Sequence, residues 1–225
     1  MIDFFVSYSA EDAAYSLTKA GTIILIILAL LLLCVVAFLT GKKTHFSAKR
    51  LAFSAMGIAL AFLLSYVELF HMPWGGSITL CSMLFVTVIG YWYGPAVGFT
   101  AAFSYGLLQF VQSGGSYMLS LTQVLMDYIF AFTALGAAGF FANKKHGLRI
   151  GYVVAILLRG VFASIAGYMF WMDYMPENFP ASLAGIYPIA YNYAYILAEG
   201  ALTLIVLSIP AVQNAMKQVK NMATS

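Results

Sequence analysis

The sequence is poor in charge and in cysteine. Only 8% of its 225 residues are charged and 63% are hydrophobic, whereas about a quarter of a soluble domain is charged. So much apolar surface requires a solvent that is largely lipid. The net charge of +3 gives no electrostatic basis for binding nucleic acid. The two cysteines, Cys34 and Cys81, lie in apolar runs and are typical of packing residues rather than of a disulfide or a metal pair.

The motifs of nucleotide binding and of catalysis are missing as well. GKKT at Gly41 lacks the upstream glycine of a phosphate-binding loop, so we expect this chain to bind no ATP. His45, His71 and His146 are too scattered to hold a metal, and the sequence contains no serine–histidine–aspartate or HExxH set. We therefore predict a protein that is not an enzyme and that has no cofactor and no metal.

The apolar residues form seven stretches that are typical of membrane spans, each of which needs about 20 residues to cross a bilayer. The first stretch follows Asp3, Glu11 and Asp12, and such acids are foreign to a signal peptide, so we expect it to be retained. It is nearly pure Leu, Ile, Val and Ala and is expected to face lipid. The sequence thus predicts an all-α integral membrane protein with a six-helix core and one extra N-terminal transmembrane helix. The stretches are residues 21–40, 51–70, 78–93, 95–112, 119–142, 150–172 and 187–211.

Basic residues predict how the spans are oriented. If seven spans alternate, the loops after the first and fifth spans lie on the same side as the C-terminal tail. These three segments contain basic residues and no acid. By the positive-inside rule they are cytoplasmic, so we expect a multi-pass protein of the cell membrane with its N-terminus outside and its C-terminus inside. The basic residues are Lys42, Lys43, Lys49, Arg50, Lys144, Lys145, Arg149, Lys217 and Lys220.

Three acids fall within predicted spans: Glu68, Asp127 and Glu199. A charge at the bilayer centre costs roughly 2.5–3.5 kcal/mol, so such residues face the protein interior and have a partner. Arg159 lies in its span at a depth similar to that of Glu199, which predicts a structural ion pair between the two. Asp127 has no evident basic partner in the chain, and we expect it to bind a cation that comes from outside the protein.

Aromatic residues lie near the outer ends of the same spans. An aromatic belt at the membrane interface explains part of them. It does not explain the glycine pairs at 75–76 and 114–115, which let backbone approach a ligand or fold as a lid. Aromatic faces beside a carboxylate suit a planar organic cation, at roughly 0.5–2 kcal/mol per contact, and Gln123, Asn192 and Ser164 could orient its ring. The aromatic residues are Trp74, Tyr117, Tyr128, Trp171, Tyr187, Tyr191 and Tyr195.

Small residues four positions apart predict close helix contacts. Ala55 and Ala59 form one such pair, and Gly90, Gly94 and Gly98 form a series. The contact is either internal to the fold or made with another membrane protein.

Four segments, GGSITL, YGLLQF, QVLMDYIFAFTALGAAGFF and YNYAYILAE, resemble the thiamine-specific substrate-binding (S) components of energy-coupling factor (ECF) transporters. The resemblance covers about Lys49 to Val212. It implies binding of extracellular thiamine near the outer face, and uptake with a membrane scaffold subunit and two cytosolic ATPases. It also implies three parts: an N-terminal segment with the extra helix and a basic loop (1–48), a six-helix substrate-binding domain (49–212) and a cytoplasmic tail (213–225).

The resemblance implies roles for single residues. Asp127 matches the family's acid in the fifth span and would contact the cationic or amino-bearing part of the vitamin. Trp171 would stack on a ring, and Trp74 would belong to a lid loop. Ala55 and Ala59 match the motif that docks the scaffold. The other predicted substrate-binding residues are Tyr117, Tyr128, Gly167, Tyr187 and Asn192, to which we add Glu68.

One position departs from the family pattern. Ala163 stands where the family often has a histidine, which removes a pocket hydrogen bond worth about 1–3 kcal/mol if a buried partner is left unpaired. Ser164 or a water could replace it. The alternative is a changed ligand, for instance a vitamin B6 vitamer or the pyrimidine half of thiamine.

Two other classes of protein stay open at this stage. One is a stand-alone proton-coupled vitamin transporter, in which Asp127 or Glu68 carries the proton. The other is a structural membrane protein without a ligand. The expected partners of the leading interpretation are thiamine or a related cationic vitamin, membrane lipid and the ECF scaffold with its ATPases, and no nucleic acid.

Overall fold

The computed structural model describes residues 6–9, 14–21, 23–24, 27, 47–114, 118–142 and 144–225. Near the N-terminus, strands β1 (Val6–Ser9) and β2 (Ala14–Leu17) pair antiparallel. Most of the predicted first span lies outside the described residues, as do Cys34 and Tyr117. The extra N-terminal helix therefore stays a prediction.

Six helices follow where the six later spans were predicted. Four helical segments among the described residues are long and apolar enough to cross a membrane: Ala48–Ser65, Leu121–Phe141, Gly147–Phe170 and Ala181–Val206. The 12 residues of the second helix rise about 18 Å, which is less than the thickness of a bilayer core. The helices are α1 (Ala48–Ser65), α2 (Ser82–Tyr93), α3 (Pro95–Gln112), α4 (Leu121–Phe141), α5 (Gly147–Phe170) and α6 (Tyr187–Val206).

The predicted span 51–70 is wrong at its end, because α1 stops at Ser65 and the chain turns back as a β-hairpin. Strands β3 (Glu68–His71) and β4 (Ser77–Thr79) pair antiparallel. Gly75 and Gly76 have φ of +91° and +83°, a region that favours glycine, and they close the turn. Glu68 is thus exposed at the hairpin instead of inside a span, and its carboxylate pairs with His71 at 2.8 Å. We call this side of the molecule the hairpin end.

The predicted span 187–211 is also too long at its C-terminal end. Helix α6 ends at Val206, and Ile209 is extended because the next residue, Pro210, excludes the helical conformation there. A last helix, α7 (Pro210–Thr224), then packs back on α2. The Tyr93 hydroxyl donates to the Ala223 carbonyl at 3.1 Å, and Lys220 Nζ donates to the Tyr91 hydroxyl at 3.0 Å. The boundary predicted at residue 212 therefore falls inside a helix.

Glycine brings α2, α3 and α4 into close contact. Gly94 turns the chain between α2 and α3 with φ of +88°, so Gly90 and Gly98 face each other. A Cβ on Gly98 would lie 2.7 Å from Gly90 Cα and 2.9 Å from the Gly136 carbonyl oxygen. The predicted contact of the glycine series is thus internal. Ala55 and Ala59, in contrast, are exposed on α1.

Candidate binding site

A cavity of about 550 Å³ lies at the hairpin end, between the β3–β4 hairpin and helices α3 to α6. It brings together eight of the nine residues predicted to bind a substrate. The ninth, Tyr117, lies outside the described residues. The eight residues that line the cavity are Glu68, Trp74, Asp127, Tyr128, Gly167, Trp171, Tyr187 and Asn192.

Asp127 on α4 has one of its two oxygens occupied. Its Oδ2 accepts hydrogen bonds from Gln123 Nε2 at 2.7 Å and from Trp171 Nε1 at 2.9 Å. Across the described part of the chain, Oδ1 has no hydrogen-bond partner, and no basic side chain lies within ion-pair distance of the carboxylate. Asp127 thus presents an unpaired acceptor at the edge of the cavity, as the sequence predicted.

The backbone of α4 is irregular where it holds this carboxylate. Ser120 caps the first turn by accepting from Gln123 N at 3.1 Å. The helix then widens to π-helical hydrogen bonding over Leu125–Phe130, a feature that is frequent at functional sites. Gln123 Oε1 accepts from Leu119 N at 3.3 Å, so the amide that orients Asp127 is itself held in place.

Aromatic rings surround the mouth of the cavity. The ring of Tyr174 lies 5.2 Å from Trp171 and 5.8 Å from Trp74, measured between centroids. On the other side, Tyr187 and Tyr191 are 5.7 Å apart. Trp171 also donates to Asp127, and aromatic rings that line a cavity together with a carboxylate suit a flat, positively charged ring.

Helix α6 holds the tip of the hairpin over the cavity. The Tyr191 hydroxyl accepts from Trp74 N at 2.9 Å and donates to the Gly75 carbonyl at 3.1 Å. Gly76 lies so close to Tyr195 that a Cβ would be 2.7 Å from its ring. The hairpin is therefore placed as a lid, held by a tyrosine hydroxyl and by close packing.

Glu199 does not form the predicted ion pair with Arg159. The Glu199 residue is 1% exposed. Oε2 accepts from Thr79 N at 3.1 Å and from the Thr79 hydroxyl at 2.7 Å, while Oε1 accepts from the Ser82 hydroxyl at 3.2 Å and from Met83 N at 3.1 Å. Cys81, which precedes α2, gives the helix no side-chain cap. Glu199 thus supplies from α6 the carboxylate that satisfies the start of α2.

Arg159 lies at the floor of the cavity, which we define as Ser82, Phe132, Arg159, Tyr195 and Glu199. The guanidinium carbon is 4.2 Å from the centre of the Phe132 ring and 5.9 Å from that of Tyr195. Nη1 contacts Met83 Sδ at 2.7 Å. Aromatic faces therefore take the place of the predicted carboxylate partner.

Ala163 and Gly167 shape the α5 side of the cavity. Ala163 lines it, whereas Ser164 does not. Within the part of the chain that the structure describes, the Ser164 hydroxyl is buried without a hydrogen-bond partner, so Ser164 does not replace the histidine in the way that the sequence left open. A Cβ on Gly167 would lie 2.8 Å from Pro188 and 3.2 Å from Asn192 Nδ2. The glycine thus lets α5 approach α6 beside the site.

Sequence reasoning missed a polar wall on α3. Gln109 and Gln112 both line the cavity. Gln109 Nε2 donates to Gln112 Oε1 at 2.8 Å and to the Ser65 hydroxyl at 3.0 Å. A glutamine inside an apolar span, such as Gln109, is costly in lipid, and that signal was sufficient to place it in the interior.

The fold and the cavity define a multi-pass membrane protein that binds a small molecule between its helices at one end. The family model for "Thiamine transporter protein (Thia_YuaJ)" matches residues 51–219, and this chain belongs to that family. The resemblance to thiamine-specific S components is confirmed, and with it the mostly helical membrane fold, thiamine binding and uptake as an S component, and the multi-pass location in a membrane.

Individual relatives agree with the family match. The chain is 31% identical over 173 residues to the thiamine transporter ThiT of Bacillus subtilis, covering 70% of this chain and 88% of that protein. It is 29% identical over 124 residues to ThiT of Lacticaseibacillus paracasei, covering 48% of this chain and 60% of that protein. A solved structure of ThiT from Listeria monocytogenes superposes with a TM-score of 0.56 at 24% identity, covering 72% of this chain and 96% of that one, and supports the fold.

Proposed function

We propose that the cavity at the hairpin end binds thiamine with its positively charged ring beside Asp127. The observation that carries this proposal is the free Oδ1 of Asp127, in a carboxylate whose other oxygen is fixed by Gln123 and Trp171. A cation that enters the cavity supplies the positive charge that no basic side chain of the described residues places beside Asp127. Trp171 lies against the same carboxylate and offers its ring as a stacking surface.

The hairpin completes the site. Trp74 and Gly75, held by Tyr191, close the cavity on the side that the helices leave open. Excluding water in this way strengthens the attraction between carboxylate and ligand, because the interaction then occurs at a lower effective dielectric constant. Glu68 lines the cavity but pairs with His71, so we assign it to the rim and give Asp127 the charge contact.

The test is a titration of purified protein with thiamine, without ATP. Tight binding with quenching of tryptophan fluorescence is expected. The quenching should fall in Trp171→Phe and stay unchanged in Trp92→Phe, since Trp171 and Trp74 line the cavity and Trp92 does not. Pyridoxine and the isolated aminopyrimidine half of thiamine should bind more weakly, because neither has the thiazolium charge. Absence of both heat and quenching with thiamine would overturn the proposal.

The orientation we propose places the hairpin end outside the cell. Support comes from Lys144, Lys145, Lys217 and Lys220, which lie at the opposite end of the helices and would face the cytoplasm. A cysteine introduced at Gly185, an exposed position at the hairpin end, should react with an impermeant reagent in intact cells. A cysteine at Lys144 should not. The reverse labelling pattern would contradict this orientation.

Uptake then requires the scaffold and the two ATPases, and we propose that Ala55 and Ala59 dock the scaffold. Both residues are exposed on α1, whose buried face is formed by Ser54, Gly57, Ala61 and Ser65. Small side chains on an outward face let a partner helix approach closely. Leucine at both positions should abolish copurification with the scaffold while thiamine affinity is retained. Copurification that survives this change would refute the docking role.

A further inference from the structure

Helix α7 leaves part of its apolar surface uncovered. Val212 and Met216 pack against the core, and Ala223 is 2% exposed. Met222, on a neighbouring side of the same helix, is 54% exposed, and Ile209, just before the helix, is 46% exposed. An apolar arc that is wider than the face the protein buries is typical of a helix that lies in a membrane interface.

The outward side of α7 is polar and carries no negative charge. Asn214, Lys217, Gln218 and Asn221 are all exposed, and their spacing of i, i+3, i+4 and i+7 places them on one side of the helix. The sequence of α7 contains no Asp and no Glu. Basic and amide side chains on one side, with apolar side chains on the other, indicate a helix that rests on an anionic lipid surface.

The contacts of α7 place it at the depth of the lipid headgroups. Helix α2 ends in Tyr91, Trp92 and Tyr93, and such residues are enriched where a helix leaves the hydrocarbon. Lys220 Nζ lies 4.1 Å from the centre of the Tyr91 ring and donates to its hydroxyl. The Tyr93 hydroxyl donates to the Ala223 carbonyl. Helix α7 is therefore held at the level where α2 ends.

The same contacts gather basic side chains on one surface. Lys49 Nζ donates to the Ser225 hydroxyl at 2.9 Å, and the guanidinium carbon of Arg50 is 5.9 Å from the centre of the Tyr93 ring. We call the result the basic surface, which consists of Lys49, Arg50, Lys217 and Lys220. Among the residues that the structure describes, no carboxylate lies within ion-pair distance of these four side chains. Because like charges repel, the basic surface favours an anion that compensates them.

We propose that the basic surface, together with the uncovered apolar side of α7, binds anionic phospholipids of the cytoplasmic leaflet. The headgroup phosphates supply the missing negative charge, and the acyl chains cover the apolar side chains beside it. A soluble acidic protein would match the charge but would leave the apolar side uncovered. This inference goes beyond thiamine binding and depends on the proposed function only for the orientation, which decides the leaflet.

The test measures how tightly the purified full chain binds two lipids. The protein in a nonionic detergent is titrated with phosphatidylglycerol and with phosphatidylcholine of the same acyl chains, and bound lipid is counted by native mass spectrometry. The wild type should prefer phosphatidylglycerol. Lys217→Gln combined with Lys220→Gln should weaken phosphatidylglycerol about 20-fold and change phosphatidylcholine by less than about 2-fold, because each cation near an anionic lipid surface contributes about 5-fold.

Lys144→Gln combined with Lys145→Gln is the matched control. It removes the same charge from the same end of the molecule, at exposed positions between α4 and α5, and should weaken phosphatidylglycerol by less than about 2-fold. Thiamine affinity should stay unchanged in both double variants, because the described cavity lining includes none of these lysines. If Lys220→Gln disturbs α7 through its contact with Tyr91, Lys217→Glu decides, since it should weaken phosphatidylglycerol more than Lys217→Gln does.

The outcomes separate this inference from the proposed function. Equal weakening by the two double variants would show a response to net charge alone and would overturn the inference, as would equal binding of the two lipids by the wild type. If Lys217→Gln with Lys220→Gln lost copurification with the scaffold or the ATPases but kept the lipid preference, the surface would belong to a protein partner and the inference would be wrong. Failure to bind thiamine would overturn the proposed function alone.

Discussion

Asp127 and Glu199 are both carboxylates on membrane helices, and both line the same cavity, yet their surroundings differ. Glu199 accepts four hydrogen bonds from the start of α2 and the end of the hairpin. Asp127 accepts two, both on one oxygen. The count of donors separates a carboxylate that holds the fold together from one that is left for a ligand.

The difference in hydrogen bonding explains how two acids can lie within the membrane helices of one chain. Glu199 is stabilised by groups that exist in the folded protein at all times, including two backbone N–H groups. Among the residues that the structure describes, Oδ1 of Asp127 has no hydrogen-bond partner, so its remaining interaction depends on what enters the cavity. Asp127 can therefore form a new hydrogen bond or ion pair with a ligand, whereas both oxygens of Glu199 already accept hydrogen bonds within the protein.

The largest expected effect is the loss of stability on removal of Glu199, whose carboxylate accepts four hydrogen bonds. Glu199→Ala leaves Thr79 N and Met83 N buried without partners and should reduce the free energy of unfolding by about 3–5 kcal/mol. Asp127→Ala should cost much less stability, because the two donors that lose their acceptor are side-chain groups, Gln123 Nε2 and Trp171 Nε1, of residues that line the cavity. Thermal unfolding in detergent measures both. An equal loss of stability in Glu199→Ala and Asp127→Ala would contradict the assignment of a structural role to Glu199 and a ligand-binding role to Asp127.

The next effect concerns the ring beside Asp127. Trp171→Ala should weaken thiamine binding about 100-fold, through loss of a stacking surface and of a hydrogen bond to the carboxylate. Trp171→Phe keeps a ring and should weaken binding about 5-fold. Calorimetry measures both, with Trp92→Phe as a control outside the cavity. Similar affinities for the Phe and Ala variants would argue against stacking.

The smallest effect is expected at the lid. Gly76→Ala combines a strained φ with a clash against Tyr195, whereas Gly75→Ala introduces the strain with nothing within 4 Å of the new Cβ. Gly76→Ala should therefore release thiamine about 10-fold faster and Gly75→Ala about 3-fold faster. Stopped-flow fluorescence measures both rates. Identical rates would mean that contact with Tyr195 does not hold the lid.

Much of the site followed from the sequence because polar residues in lipid are costly. Asp127, Trp171 and Asn192 stand out against apolar runs, and the structure places them in one cavity. The end of α1 was missed because Val67, Leu69 and Phe70 continue the apolar run of the helix on either side of Glu68. The pairing of β3 with β4 joins two segments, and the periodicity of one segment does not report it.

The Arg159–Glu199 pair was predicted from charge and depth alone. Sequence gives the position of Glu199 along its helix but not the backbone N–H groups that reach it from β4 and α2. It also gives no sign that Phe132 offers its ring to Arg159. The partners of Glu199 and of Arg159 depend on the direction in which each side chain points, and that direction depends on how the helices pack.

The central claim is that the free oxygen of Asp127 recognises the positive charge of the ligand. It is tested most directly by comparing thiamine with its neutral isostere, in which carbon replaces the thiazolium nitrogen, in the wild type and in Asp127→Asn. The wild type should prefer thiamine at least about 10-fold, as expected for an interaction with a charged group, and Asp127→Asn should lose that preference. A preference of the same size in both proteins would contradict the claim.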